Sequence, residues 1–234
     1  MGGLAGAAGE SRLNEPRWLV GGDVGLELAQ DVPTIWLVSI DDSVVRARAE
    51  AVALLPGEAA AVAGRRDAGE RLLRGRLARL LLAAAGNVRA DRVAIERDAA
   101  GRPMVTTPHG WHLSVAARWP ACAIGVAPCR LGVDIERIGE DALPVDLLTP
   151  AERQRLDSDL AAPAGSHGAA ERPGVAAARC WTAKEAHAKW TGHPRDLDPA
   201  AIETGRLPLV TSRFGTTRCW LYGLPDHVAA VCTA

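Results

Sequence analysis

The sequence predicts an α+β fold made of two similar lobes, each a small antiparallel sheet packed on one long helix. Three observations predict it. Strand-like runs come in neighbouring pairs around short turns, two segments carry long helical patterns, and a Leu-Leu-(Thr)-Pro-x-Glu echo precedes each long helix. Paired strands with one long helix per lobe are the pattern of α+β packing, not the strand–helix alternation of a doubly wound sheet. On this reading the 234 residues divide into a poorly ordered segment over 1–33, an N-terminal lobe over 34–118 and a C-terminal lobe over 119–234.

The first ten residues, Met1 to Glu10, are rich in Gly and Ala and lack the basic and apolar regions of a signal peptide. The run Thr34-Ile-Trp-Leu-Val-Ser-Ile40 is rich in β-formers and predicts a buried strand. After Leu54-Leu-Pro-Gly-Glu58, a helix is predicted over Asp67–Ala85. Leu72, Leu73, Leu77, Leu80 and Leu81 give it one apolar face, and Gly86-Asn87 supplies the stop. Strand pairs are predicted around the turns Asp98–Gly101, Pro128–Arg130 and Gly223–Asp226. After Leu147-Leu-Thr-Pro-Ala-Glu152, the Ala, Gly and Pro of Asp159–Ala178 predict a surface loop. The second long helix is expected over Ala178–Trp190, stopped by Thr191-Gly192 and Pro194.

Composition narrows the function. Apolar residues make up 48%, enough for a substantial core, and the net charge of −1 argues against polybasic attachment to nucleic acid or membrane. Neither a Walker A loop nor a strand–GxGxxG–helix unit is present. The five cysteines are an odd number without a C-x-x-C pair, which suits small buried residues in a cytoplasmic protein. Of the 27 basic residues only two are lysine, Lys184 and Lys189, five positions apart. Arg is a wide, permanently charged fork and Lys a compact charge whose proton can move, so this confinement marks a site.

Two motifs carry chemistry. In Leu131-Gly-Val-Asp-Ile-Glu136, strand alternation sends Leu131, Val133 and Ile135 to one face and Gly132, Asp134 and Glu136 to the other. Two carboxylates about 7 Å apart beside a side-chain-free glycine suit Mg²⁺, which takes a few carboxylates and completes its shell with water and phosphate. The alternative is an edge strand with a solvated acidic face. On a helix, Trp181, Lys184, Glu185, Ala188 and Lys189 share an arc of about 140°. The alternative there is an exposed Glu185–Lys189 pair above a packed Trp181. Together the motifs supply three carboxylates and two ammonium groups, the equipment of phosphoryl-type transfer. His187 falls about 160° from Glu185 and, with His112 and His193, reads as structural or surface.

The combined pattern, Gly132-Val-Asp134-Ile-Glu136 followed by Trp181-Thr-Ala-Lys184-Glu185-Ala-His-Ala-Lys189, resembles the signature of the 4'-phosphopantetheinyl transferases. The match is to the larger, surfactin-synthetase-activating type, a pseudo-dimer that serves fatty-acid, polyketide and peptide carriers. Gly101-Arg102-Pro103 is similar to the family's Gly-Lys-Pro turn, Arg71 stands where the family places a coenzyme A-binding arginine, and Trp111-His-Leu-Ser114 resembles its aromatic-x-Leu-Ser segment. Three positions depart: Val115 replaces the usual His after that Ser, Ala59 and Val62 stand where basic residues are common, and Arg102 replaces Lys. Arg118 shares a strand face with Ser114, and it either takes the missing histidine's place at a phosphate or caps the strand end.

The resemblance implies a cytoplasmic, monomeric, Mg²⁺-dependent holo-carrier synthase. Its partners would be coenzyme A and an apo acyl or peptidyl carrier, with no nucleic acid and no membrane. Asp134, Glu136 and Glu185 would hold Mg²⁺. Glu185 would deprotonate the carrier serine, and Lys189 would neutralise or protonate the departing 3',5'-ADP. Arg71, Gly101, Arg102, Pro103, Ser114, Arg118, Asp134 and Lys189 would contact coenzyme A. Lys184 would orient Glu185 or meet the carrier. The competing reading is a non-catalytic coenzyme A-binding or carrier-docking protein of the same fold.

Overall fold

The computed structural model describes residues 15–26, 28, 31–140, 143–161, 173–205 and 208–234. Its elements run β1 (Arg17–Val20), β2 (Thr34–Ser39), α1 (Ser43–Glu50), α2 (Glu58–Val62), α3 (Ala68–Gly86), β3 (Ala94–Arg97), β4 (Pro103–Thr107), β5 (His112–Arg118) and β6 (Ala121–Ala127). They continue with β7 (Leu131–Arg137), α4 (Pro150–Ala161), α5 (Pro173–Thr191), β8 (Leu209–Ser212), β9 (Gly215–Gly223) and β10 (His227–Thr233). One four-stranded sheet has the order β1-β2-β6-β5 and a second the order β7-β10-β9-β8, while β3 and β4 form a separate hairpin. The class is mixed α+β, as the strand pairs predict.

Three apolar layers hold the elements in sequence. The first lies between α3 and one face of the β2/β5/β6 sheet, with Leu77, Leu81, Trp36, Ile124 and Val126 at its centre. The second lies between the sheets and joins Ile35, Leu37, Ala116, Ala123, Val133, Ile135 and Val231. The third lies between the second sheet and α5, through Ala183, Ala186, Val210, Ala230 and Cys232. Strands buried on both faces need continuous apolar runs, which is why β2 and β6 read so. On β6 the residues facing the second sheet are small, and a Cβ on Gly125 would strike Leu131 and Val133. That smallness lets β7 pack close.

Glycine also sets the approach of α5. A Cβ on Gly132 would overlap the Ala186 carbonyl and the Trp190 amide, so the helix backbone lies directly on β7 there. The bare face of Gly132, expected to flank a metal, is filled by α5 instead. The Gly132/Asp134/Glu136 face is thereby turned toward the helix that carries Glu185 and Lys189.

Several expectations are corrected. Within the 1–33 stretch, Arg17–Val20 forms β1, and it pairs with β2 in parallel, so the first sheet is not wholly antiparallel. The strands either side of Pro128–Arg130 are not a hairpin: β6 pairs with β2 and β5, and β7 with β10. Thus β6 lies in the first sheet although it follows residue 118. Helix α5 starts at Pro173, ahead of the expected Ala178, and α4 covers Pro150–Ala161 where part of a loop was expected. The rest of that loop, and residues 1–14, lie outside the described residues. The other predicted hairpins form, β3 with β4 and β9 with β10, and α3 ends at a left-handed Asn87. No helix among the described residues is long and apolar enough to cross a membrane.

Candidate active site

Asp134, at the centre of β7, is buried at 5% exposure with its Oδ1 accepting from Lys189 Nζ at 2.6 Å. Its Oδ2 is buried without a hydrogen-bond partner. Burial pushes this carboxyl up to about 7; Lys189 opposes the shift, and Glu136 and Glu185 add to it. One turn before Lys189 on α5, Glu185 is raised by its burial, opposed by Lys189 and Arg118 and reinforced by Glu136. Mutual repulsion of this kind means the three carboxylates share one neighbourhood.

Glu136 is engaged differently. Arg118, at the end of β5, grips it with a fork, Nε to Oε2 and Nη2 to Oε1, both at 2.6 Å. Trp181 Nε1 also donates to Oε1, at 3.1 Å. The aromatic expected to hold the helix in place thus also orients a carboxylate.

The donors fit a hard divalent cation. All are carboxylate oxygens, and the partnerless Asp134 Oδ2 is the kind of buried atom a cation would satisfy. Glu136 is turned to Arg118. Among the described residues no three His, Cys, Asp or Glu side chains stand at metal-holding distances.

Lys184 does not join the site. Neighbouring helix positions diverge by about 100°, and its side chain runs inward to 1% exposure. There Nζ donates to Glu152 Oε2 at 2.7 Å and to the Pro199 and Ile202 carbonyls at 2.7 and 2.6 Å. Thr149 N, Thr204 N, Thr204 Oγ1 and Cys180 Sγ also donate to the Glu152 carboxylate. This is a buried structural lock, not a partner of Glu185. The same device stands in the first half, where Arg79, also 1% exposed, reaches Glu58 and the Ala53 and Ala90 carbonyls. Arg79 is therefore interior. His187 is buried between Thr217 Oγ1 and Ser212 Oγ, and burial pulls its imidazole down to about 4. It is structural, as its angle on the helix predicts.

A cleft of about 1100 Å³ opens between α3, the β3/β4 hairpin, β5 and the end of α5, and Lys189 lines it. Arg71, Gly101, Arg102, Pro103 and Ser114 from the expected coenzyme A set line it too. Arg71 pairs with Asp67 and Arg102 with Asp98, and Ser114 Oγ accepts from Val133 N at 3.0 Å, tying the two sheets together. Arg118 is not among the lining residues; its guanidinium is paired with Glu136.

Arg65, Arg74, Arg97, Arg130 and Arg195 also line the cleft, where Glu58 is the sole carboxylate among the lining residues. A chain of near-zero net charge thus concentrates cations in one cavity. Reasoning along the chain missed Arg97, Arg130 and Arg195 because they come from separate segments. Arg97 was the most legible of them, since the β3/β4 hairpin places it opposite Pro103. Arg130 donates to the Thr191 carbonyl at 2.8 Å and sits over the Trp190 ring, so it also caps α5.

Lys189 is thus shared between the acidic group of Asp134, Glu136 and Glu185 and an arginine-lined cleft. Residues 130–232 match the 4'-phosphopantetheinyl transferase superfamily. The matched span begins at the entry to β7 and includes Asp134, Glu136, Glu185 and Lys189. No curated protein matches the chain.

Proposed function

We propose that this chain transfers 4'-phosphopantetheine from coenzyme A to the serine of an apo-carrier protein, with Mg²⁺, releasing 3',5'-ADP. The observation that carries the reading is the junction at Lys189, which binds the buried Asp134 and lines the arginine-rich cleft. That joins a site for phosphoryl chemistry to a cavity sized and charged for a nucleotide-like polyanion.

In this reading Asp134, Glu136 and Glu185 hold Mg²⁺, which when bound would neutralise charge on the pyrophosphate. Arg71, Arg102 and the turn Gly101–Pro103 grip the adenosine end of coenzyme A, with Ser114 at the cleft floor. The carboxylate of Glu185, raised by burial, takes the proton from the carrier serine. The serine oxygen then forms a bond to the β-phosphorus as the bond to the bridging oxygen breaks. Lys189 holds the departing phosphate and can give it a proton. Arg118, paired with Glu136, would reach coenzyme A only by leaving that carboxylate.

The pseudo-dimer organisation belongs to the same proposal. Glu58 accepts from Leu55 N and Arg79; Glu152 accepts from Thr149 N and Lys184. Arg79 and Lys184 each stand eight residues before the Asn87 or Gly192 that follows its helix. Equivalent buried locks in the two halves support a duplicated unit, working as a cytoplasmic monomer on acyl, polyketide or peptidyl carriers.

The test is direct. Purified protein is incubated with fluorescently tagged coenzyme A and a panel of apo-carriers, with Mg²⁺ or with EDTA. Label should appear on the carrier serine with Mg²⁺ alone. Coenzyme A binding without label on any carrier would favour the non-catalytic reading.

A further inference from the structure

Among the three carboxylates, Glu136 has both oxygens committed, to the Arg118 fork and to Trp181. Asp134 keeps Oδ2 without a partner, and no ion pair among the described residues involves Glu185. A divalent cation arriving here would find Asp134 Oδ2 and the Glu185 carboxylate open and Glu136 closed. The closure is not a deep structural tie. Arg118 is 55% exposed along its side chain and Glu136 only 12%, so the arginine is the partner that can swing into water. Arg118 is also within electrostatic reach of Asp134 and Glu185. It lies where an added cation would compete with it for all three.

We propose that Arg118 is a built-in counter-ion that closes Glu136, so that a divalent cation completes its ligand set only by displacing the arginine fork. This rests on reading Asp134, Glu136 and Glu185 as the Mg²⁺ site. The physical basis is that a bidentate arginine–carboxylate pair holds its geometry far better than a single-point contact. A half-exposed pair still opens at modest cost. Arg118 thereby makes the protein a weak cation binder until the fork is released.

Mn²⁺ alone is the probe, its binding read from loss of the free-ion signal in electron paramagnetic resonance. Arg118→Ala is expected to bind Mn²⁺ about tenfold more tightly than wild type. Arg118→Lys keeps the charge but loses the fork, and is expected to tighten binding about threefold. Adding Glu136→Gln to Arg118→Ala should erase the gain, since the gain comes from freeing that carboxylate.

Several results would overturn the proposal. If Arg118→Lys binds Mn²⁺ like wild type while Arg118→Ala tightens, the effect is charge and not the fork. A gain that survives Glu136→Gln, or no gain in either variant, refutes the displacement step. These failures leave the metal reading intact if Asp134→Asn still weakens Mn²⁺ binding. No Mn²⁺ binding by wild type or any variant refutes both.

Discussion

Replacing Asp134 by Asn should make the protein more stable at pH 8 while sharply lowering the proposed transfer activity. The side chain is 5% exposed, one oxygen has no partner, and burial raises the carboxyl from 3.8 to about 7 despite the ammonium 2.6 Å away. The sign follows from proton linkage. The folded state holds this proton more tightly than the unfolded state. Between about pH 4 and 7 the unfolded chain has released it and the folded chain has not, so stability falls as pH rises through that window. Above pH 7 the full cost stands, about 4 kcal/mol from a shift of this size.

Asn keeps the shape and can still accept from Lys189, so most of that cost should be recovered. The expected gain is about 3 kcal/mol at pH 8, shrinking to about 1 kcal/mol at pH 5 and to nearly nothing at pH 4. Urea unfolding of both proteins in EDTA, at these three pH values, measures the gap. Transfer activity of the Asn variant should fall by two orders of magnitude or more, about 3 kcal/mol of transition-state stabilisation. A variant less stable than wild type at pH 8, or a gap independent of pH, would refute the account of Asp134 as a strained, function-bearing charge.

Three further outcomes are expected. Glu185→Gln should lower transfer about 100-fold or more with little change in melting temperature, since it removes a proton acceptor and keeps the volume; a wild-type rate would remove Glu185 from the chemistry. Lys184→Ala should destabilise the fold by about 3–5 kcal/mol by stranding the Glu152 charge, and denaturant melts check it; an unchanged melt would mean that the lock carries no stability. Gly132→Ala should cost about 3 kcal/mol or more, because two rigid backbones meet at that Cα, and a well-folded variant would contradict the contact of α5 with β7.

What the chain carried locally, its sequence determined. The alternation of Leu131 to Glu136 set which side chains of β7 face the second core and which face α5. The leucine spacing and Gly86-Asn87 set α3 and its end, and the confinement of lysine to one helix marked the helix that carries Lys189 to Asp134. Such features rest on periods of two and 3.6 residues and on the special backbone of glycine and asparagine, all properties of neighbouring residues.

Tertiary structure decided the partners. Lys184 and Lys189 look equivalent along the helix, but one meets Glu152 and two carbonyls in the interior and the other meets Asp134. Arg118 had two open choices on its strand, and the packing of β5 beside β7 put Glu136 within its reach. Strand β6 read as the partner of β7, yet its hydrogen bonds go to β2 and β5. The arginines of the cleft converge from segments far apart in the chain. A long flexible side chain takes the charge and hydrogen bonds that the fold brings to it, and those come from residues no local period can name.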